Sequence, residues 1–365
     1  MVRSKPKILP IWGGAPPVGW WWGRAAKRNP ARARMDDSPH HHLRRSPSPF
    51  RGGVALLLLL SACNPAPARK LAHPSIVSLN PCTDAILAEV ADAEQIAALS
   101  NYSSDPAASS MDVALARRLP SISGSVEEIA LLRPDLVVGS TFTPPASVAA
   151  MSRMGLQFEA FGLADTVGAS KAQVRRLAML AGHPERGEAL VARIERALAD
   201  AAPPAGTPLV PAIVWQSGGI VPGQATLIAA LLAHTGFSNA AAARGLHQAD
   251  LLPLEDMLAN PPAVIFVAGN GRSNEDRLLA HPALRALTGT VRAPLDPALL
   301  WCGGPSIVRT AARLGEVRRA LGEAGAAAST GSARVGFGAL LFGATAQALR
   351  SLSRSKAAHK LATQP

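Results

Sequence analysis

Tyrosine occurs once in this 365-residue chain and cysteine three times, and aromatic residues together make up only 4% of it. Cysteines at 63, 82 and 302 form no CxxC pair and no Cys/His spacing of a zinc site, which excludes a zinc module and a disulfide-built scaffold. The only histidine cluster, His40–His42, lies in a polar leader, and no metal site is expected from the sequence. Enzyme signatures are also missing: there is no GxxxxGK phosphate loop, no GxSxG elbow and no HExxH helix. Gly269-Asn270-Gly271 follows an apolar run, but position 274 is Asn, where a dinucleotide turn needs its third glycine. Ser217, between Gln216 and Gly218, has no histidine in a recognisable partner motif and reads as a polar loop residue rather than a nucleophile. No apolar run reaches the roughly 20 residues a membrane-spanning helix needs. Val54–Leu60 has about half that length, and Val335–Phe342 is short and glycine-rich.

The net charge of +12 would ordinarily point to nucleic acid or an anionic membrane. Its distribution argues otherwise. Residues 1–62 hold 11 Lys/Arg against 2 acids, and residues 325–365 hold 5 against none, leaving 21 basic and 23 acidic residues for 63–324. The foldable part is close to neutral, so no nucleic-acid partner is expected.

Residues 1–34 show neither helix nor strand period, and Met35 is as good a start as Met1. Arg44, Arg45 and Arg51 precede the apolar Val54–Leu60, and Ser61-Ala62-Cys63 follow, the layout of an export signal. Leu60-Ser61-Ala62-Cys63 resembles a bacterial lipobox, which would make Cys63 the acylated first residue of a membrane-anchored periplasmic protein. Ordinary cleavage after Ala66-Pro67-Ala68 is the alternative.

From there apolar strands alternate with helical periods, the pattern of parallel sheets with helices on both faces. We divide the chain into a leader (1–62), a tether (63–74), an N-terminal lobe (75–165), connecting helices (166–204), a C-terminal lobe (205–324) and a basic Ala/Gly/Ser-rich tail (325–365). Two lobes are indicated by an internal echo: SVEEIALLRPDLVVGS, ending at Ser140, and LPLEDMLANPPAVIFVAG, from Leu252, each read as an acidic helix start, a proline break and a buried strand. Glu127 and Glu255 fall at matching points. The expected helices include Thr83–Val90, capped by Thr83 or Asp84, and Met111–Arg118, with Ser306–Leu321 closing the chain. In parallel sheets ligands sit at the carboxyl ends of strands. The scarce aromatics of the mature region, Tyr102, Trp215 and Trp301, all fall at or just past such ends, with Phe142 a fourth candidate. Flat rigid rings there suit a large ligand, although each ring alone is equally compatible with a core role. Cys82 and Cys302 stand in strand-end loops of opposite lobes; they pair if their Cα atoms approach within about 7 Å and otherwise remain thiols.

SIVSLNPCTDAILAEV, the NYSSDP loop, SVEEIALLRPDLVV, the VWQSGGIVPG turn and LEDMLANPPAVIFVAG follow one another in an order that resembles the substrate-binding proteins of ABC importers for cobalamin and iron-siderophores, over nearly all of 74–322. The resemblance implies an α/β fold of two Rossmann-like lobes joined by a single long rigid helix, with modest lobe motion. It implies a monomer without a cofactor, whose partners are an ABC permease with its ATPase and a metal-chelate ligand, a corrinoid or a ferric siderophore. Glu127 and Glu255 match the acidic residues that dock into arginine-lined pockets of the permease; the plainer reading is that each favours its helix dipole. Tyr102, Phe142, Trp215, Ser217 and Trp301 become the expected ligand contacts. A haem binder, or a chelatase-like enzyme on the same scaffold, is the alternative; an export signal and the absence of cleft histidines speak against the enzyme.

Overall fold

The computed structural model of the protein describes residues 72–106, 108–269 and 276–329, with side chains to 325. The leader with Cys63 and His40–His42, nearly all of the tether, the turn at 270–275 and the tail beyond 329 lie outside the described residues. No helix among the described residues is long and apolar enough to cross a membrane.

The N-terminal lobe runs β1 (Ile76–Ser78), α1 (Pro81–Val90), β2 (Ile96–Ser100), α2 (Val113–Ala116), β3 (Ser121–Ile122), α3 (Val126–Leu132), β4 (Leu136–Ser140), α4 (Pro145–Arg153) and β5 (Phe158–Phe161). Its strands form one sheet in the order β3-β2-β1-β4-β5, and every pairing is parallel. Two helices follow, α5 (Val167–Leu180) and α6 (Pro184–Ala201). The C-terminal lobe comprises β6 (Val210–Gln216), β7 (Ile220–Val221), α7 (Leu227–His234), β8 (Phe237–Asn239), β9 (Asp250–Leu251), α8 (Leu254–Ala259), β10 (Val264–Ala268), α9 (Pro282–Arg285), β11 (Val291–Pro294) and α10 (Ser306–Ser329). Here a parallel sheet has the order β11-β10-β6-β8, and β7 and β9 make a small antiparallel pair beside it. These are the two Rossmann-like lobes expected.

The echo in the sequence is also an echo in topology. β4 pairs with β1, the first strand of its lobe, and β10 pairs with β6, the first strand of the other. In the first copy Ser125 accepts from the Glu128 amide at 3.2 Å while Glu128 Oε2 accepts from the Ser125 amide at 3.3 Å, a capping box that starts α3. Arg133, at φ 47°, ends that helix in the left-handed region just before Pro134.

Strand alternation decides how the lobes are joined. Ile76, Leu136 and Val138 of one sheet and Ala212, Val214, Val264 and Phe266 of the other point into a single buried cluster, filled by Leu87, Val174, Leu177, Ile194, Leu231 and Leu314 from α1, α5, α6, α7 and α10. The intervening residues face outward into separate clusters: Val77 and Val137 with Ile129 and Met151, and Ile213, Trp215 and Ile265 with Met257. A continuous core through both lobes resists hinge opening, because its packing would be lost on separation. α6 spans 18 residues, about 27 Å, and buries Leu190, Val191, Ile194, Leu198 and Ala201 along one stripe. Gly187 lets it approach α5 closely: a Cβ there would lie 2.6 Å from Ala178 Cβ.

Local outcomes differ from the sequence reading in a few places. Helix α1 begins at Pro81, and its cap is Asn80, whose Oδ1 accepts from the Cys82 amide at 2.8 Å. The Thr83 hydroxyl instead donates to the Asn80 carbonyl, and Asp84 is buried, so neither is the cap. The expected helix over Met111–Arg118 shrinks to the single turn of α2, capped by Asp112. Helix α10 runs on to Ser329, past the expected end at Leu321.

Candidate functional site

Strands of a parallel sheet all end on one side, and the loops at those ends carry the candidate residues. After β2 the chain makes a 3-10 turn, Asn101–Ser104, opened by Ser100 Oγ accepting from the Tyr102 amide at 3.2 Å. Tyr102 is 37% exposed on this turn, while Ser103 beside it is buried. After β4, Ser140 Oγ accepts from the Phe142 amide at 3.0 Å and leaves the ring 60% exposed. Two aromatic residues of the N-terminal lobe are therefore offered at the ends of β2 and β4, the two strands that flank β1.

The other lobe meets this region through the segment that leads from β11 into α10. Cys82, at the start of α1, is disulfide-bonded to Cys302, with Cα atoms 5.1 Å apart, so the pairing alternative holds and the free-thiol one does not. Around the bond the Ser110 hydroxyl donates to the Ala298 carbonyl at 3.0 Å and Arg309 donates to the Ser110 carbonyl at 2.7 Å. The Gly304 amide donates to Ser170 Oγ at 2.7 Å. Cys82 Sγ lies 3.5 Å from the Trp301 carbonyl oxygen, which sets half-buried Trp301 at this junction beside the end of β1.

Trp215 and Ser217 lie elsewhere. Trp215 is fully buried, its ring in the outer cluster of the C-terminal lobe and its indole N–H without a hydrogen-bond partner among the described residues. It is therefore core in this structure: with a period of two it shares the face of Ile213, away from the shared core, and offers no ring at the surface. The Ser217 hydroxyl donates to the carboxylate of Asp276, and a Cβ on Gly269 would crowd both. This serine and aspartate meet with no histidine between them, which is no triad and accords with a polar loop role.

Glu127 and Glu255 are both exposed, each in the first turn of its short helix. Next to Glu127 the neighbouring Glu128 is fully engaged: the Ser123 hydroxyl, at 2.6 Å, and the Ser123 and Ser125 amides hold its carboxyl below the usual range. Glu127 makes no such contact among the described residues and instead borders an open groove of about 430 Å³ between α3 and α4, with Val126, Ala150, Arg153 and Met154.

One group among the described residues has the geometry to hold a metal: His73, Asp92 and His183, whose ligand atoms lie within 4.8 Å of one another. Their sequence spacing gives no hint of it. The group is also satisfied internally. Arg186 binds Asp92 at 2.8 Å, and Gln95, fixed by the Pro74 and Ala181 carbonyls, places Oε1 2.8 Å from His183 Nε2. It lies at the root of the tether, on elements other than those carrying the aromatic loops. Asp84, a residue read from sequence only as a possible cap, proves to be the buried carboxyl behind the Tyr102 turn.

No curated protein matches the sequence. Among solved structures, the apo periplasmic heme-binding protein RhuT from Roseiflexus sp. RS-1 superposes with a TM-score of 0.53 at 24% identity, covering 68% of this chain and 98% of its own. The periplasmic heme-binding protein HutB of Vibrio cholerae gives 0.55 at 16% identity, covering 67% and 98%. Helicobacter pylori CeuE, solved as a Ni-His complex, gives 0.53 at 18% identity, covering 70% and 86%. These likenesses show a shared fold. The family model described as periplasmic binding protein matches residues 76–292, more than half of the sequence, and the chain belongs to that family.

Proposed function

We propose that this protein is the extracytoplasmic solute-binding component of an ABC importer, which captures a large metal complex, a corrinoid or a ferric siderophore, between its lobes and delivers it to the permease. Proteins of this family are solute-binding proteins without a cofactor of their own, and the metal complexes they bind are cargo. The observation that carries the reading is that Tyr102 and Phe142 follow the two strands flanking β1, while Trp301 of the other lobe lies beside the Cys82–Cys302 bond just past the end of β1. Flat rings on a rigid frame bind a large ligand at little entropic cost, because neither partner has much freedom to lose.

A corrinoid is the ligand class we favour, with a hydroxamate-type ferric siderophore second, since the strand-end loops offer few Arg or Lys for a highly anionic chelate. Haem is the second reading, favoured by Tyr102, whose phenol is partly exposed where an axial ligand to iron would be needed. Glu127 and Glu255 are proposed as docking carboxylates, one per lobe, and Cys63 as the acylated anchor of a monomer in the periplasm.

A thermal-shift screen of the purified protein against cobalamin, cobinamide, haem and several ferric siderophores tests the proposal. A tight ligand at a thousandfold excess over its Kd stabilises the protein by about 4 kcal/mol. Metal-insertion activity without tight binding of any intact complex would reverse the reading in favour of a chelatase.

A further inference from the structure

Asp84 stands on the first turn of α1, behind the turn that carries Tyr102, and is completely buried. Its Oδ2 accepts from Ser103 Oγ at 2.6 Å and from the Ser100 backbone amide at 3.1 Å. One carboxylate oxygen thus fastens both the last residue of β2 and the third residue of the 3-10 turn. Oδ1 has no hydrogen-bond partner among the described residues. The other polar neighbours are neutral: Ser78 Oγ and Thr83 Oγ1 bond each other at 2.7 Å.

Several charged groups of the elements packed on α1 pair with one another, among them Arg176 with Glu159 and Glu185 with His183. Lys171 pairs with Glu195, Arg175 with Glu188, Arg186 with Asp92 and Arg193 with Glu89. Arg117 donates to the Ser104 carbonyl at the far end of the turn, and Tyr102 and Asp105 are the ionisable residues of the turn itself. None of these cations meets the Asp84 carboxyl.

We propose that Asp84 is a positioning residue for ligand capture: its carboxyl fastens the Ser100–Ser104 segment, and its proton occupancy sets how firmly that segment, with Tyr102, stays closed. The proposal deepens the reading above, since it matters to transport only if Tyr102 faces the ligand. Its physical basis is linkage. In the closed turn burial pushes the Asp84 carboxyl up to about 7, against the opposing hydrogen bonds of Ser103 and Ser100. In an open turn water reaches the group, and its affinity for the proton returns to that of an ordinary aspartate, near 3.9. The closed state therefore holds the proton more tightly, so acidity favours closure; above about pH 7 both states are ionised and the dependence ends. Between pH 8 and pH 5.5 the closing equilibrium should strengthen roughly thirtyfold.

Amide hydrogen exchange in the ligand-free full-length protein tests this, with rates at residues 101–105 corrected for intrinsic exchange at each pH. The expected result is roughly thirtyfold greater protection at pH 5.5 than at pH 8 in the wild type. Asp84→Asn keeps an acceptor oxygen for Ser103 and Ser100 but cannot titrate, so its protection should not vary with pH. Equal wild-type protection at both pH values, or the same pH dependence in Asp84→Asn, overturns the proposal. Because no ligand is present, failure of the transport reading shows separately, as a titrating turn in a protein that no metal complex stabilises.

Discussion

Replacing both Cys82 and Cys302 by serine removes the disulfide between the lobes and leaves no stray thiol in its place. The bond closes a loop of 220 residues. In the chain-entropy treatment such a loop restricts the unfolded state by about 5 kcal/mol, close to the upper end of what disulfides contribute. That is comparable to the whole stability of many domains. The native state should nevertheless survive, because the shared core and the Ser110, Ser170 and Arg309 hydrogen bonds still join the lobes. Urea unfolding of oxidised wild type against the double variant measures the difference. With a slope of roughly 3 kcal/mol per molar, the midpoint should fall by about 1.5 to 2 M. Small-angle scattering in buffer should show the same radius for both. A midpoint shift below about 0.3 M would refute the loop-closure reasoning, and an expanded variant would refute the claim that the core and these hydrogen bonds hold the lobes together without the disulfide.

Other outcomes follow from the same geometry. Asp84 should make stability fall as pH rises: its folded-state pKa of about 7 lies above the unfolded value, so its contribution is full below about pH 4 and is lost towards pH 7. Relative to Asp84→Asn, wild-type stability from urea midpoints should decline by up to about 1.4 kcal/mol per pH unit across that window, and a rise would contradict the assignment. Trp215→Ala should cost about 3–5 kcal/mol of stability, measured by denaturation, as expected for a fully buried ring. Trp301→Ala should chiefly weaken ligand binding; an unchanged Kd would remove Trp301 from the site. Charge reversal at both Glu127 and Glu255 should abolish transport in reconstituted vesicles and leave ligand affinity intact, and undiminished transport would sink the docking role.

Much of this architecture was legible because strong local signals agree with the global fold. Runs such as Leu136–Ser140 and Val264–Ala268 are buried on both faces, so they read as apolar strands without alternation. The repeat around Glu127 and Glu255 located matching strands of the two sheets before any coordinate did. What stayed hidden depends on register and long-range contact. Phe237–Asn239 is a three-residue strand directly after a helix, too short to carry a period. Trp215 looked like a strand-end ligand residue, and only its shared face with Ile213 shows it to be core. The pairing of Cys82 with Cys302, 220 residues away, turns on distance in space, which spacing cannot supply. Asp84 resembled any acidic residue in a first helical turn, and its role follows from what closes over it.

The central claim is that a large metal complex binds between the lobes against Tyr102, Phe142 and Trp301. An absorbance titration with cobalamin, cobinamide and haem, in wild type and in a Tyr102→Ala/Trp301→Ala variant, tests it most directly. The account predicts one complex per protein for one of these ligands, with affinity falling at least tenfold in the variant while its free energy of unfolding stays within about 1 kcal/mol of wild type. Saturable binding that both substitutions leave unchanged would contradict it.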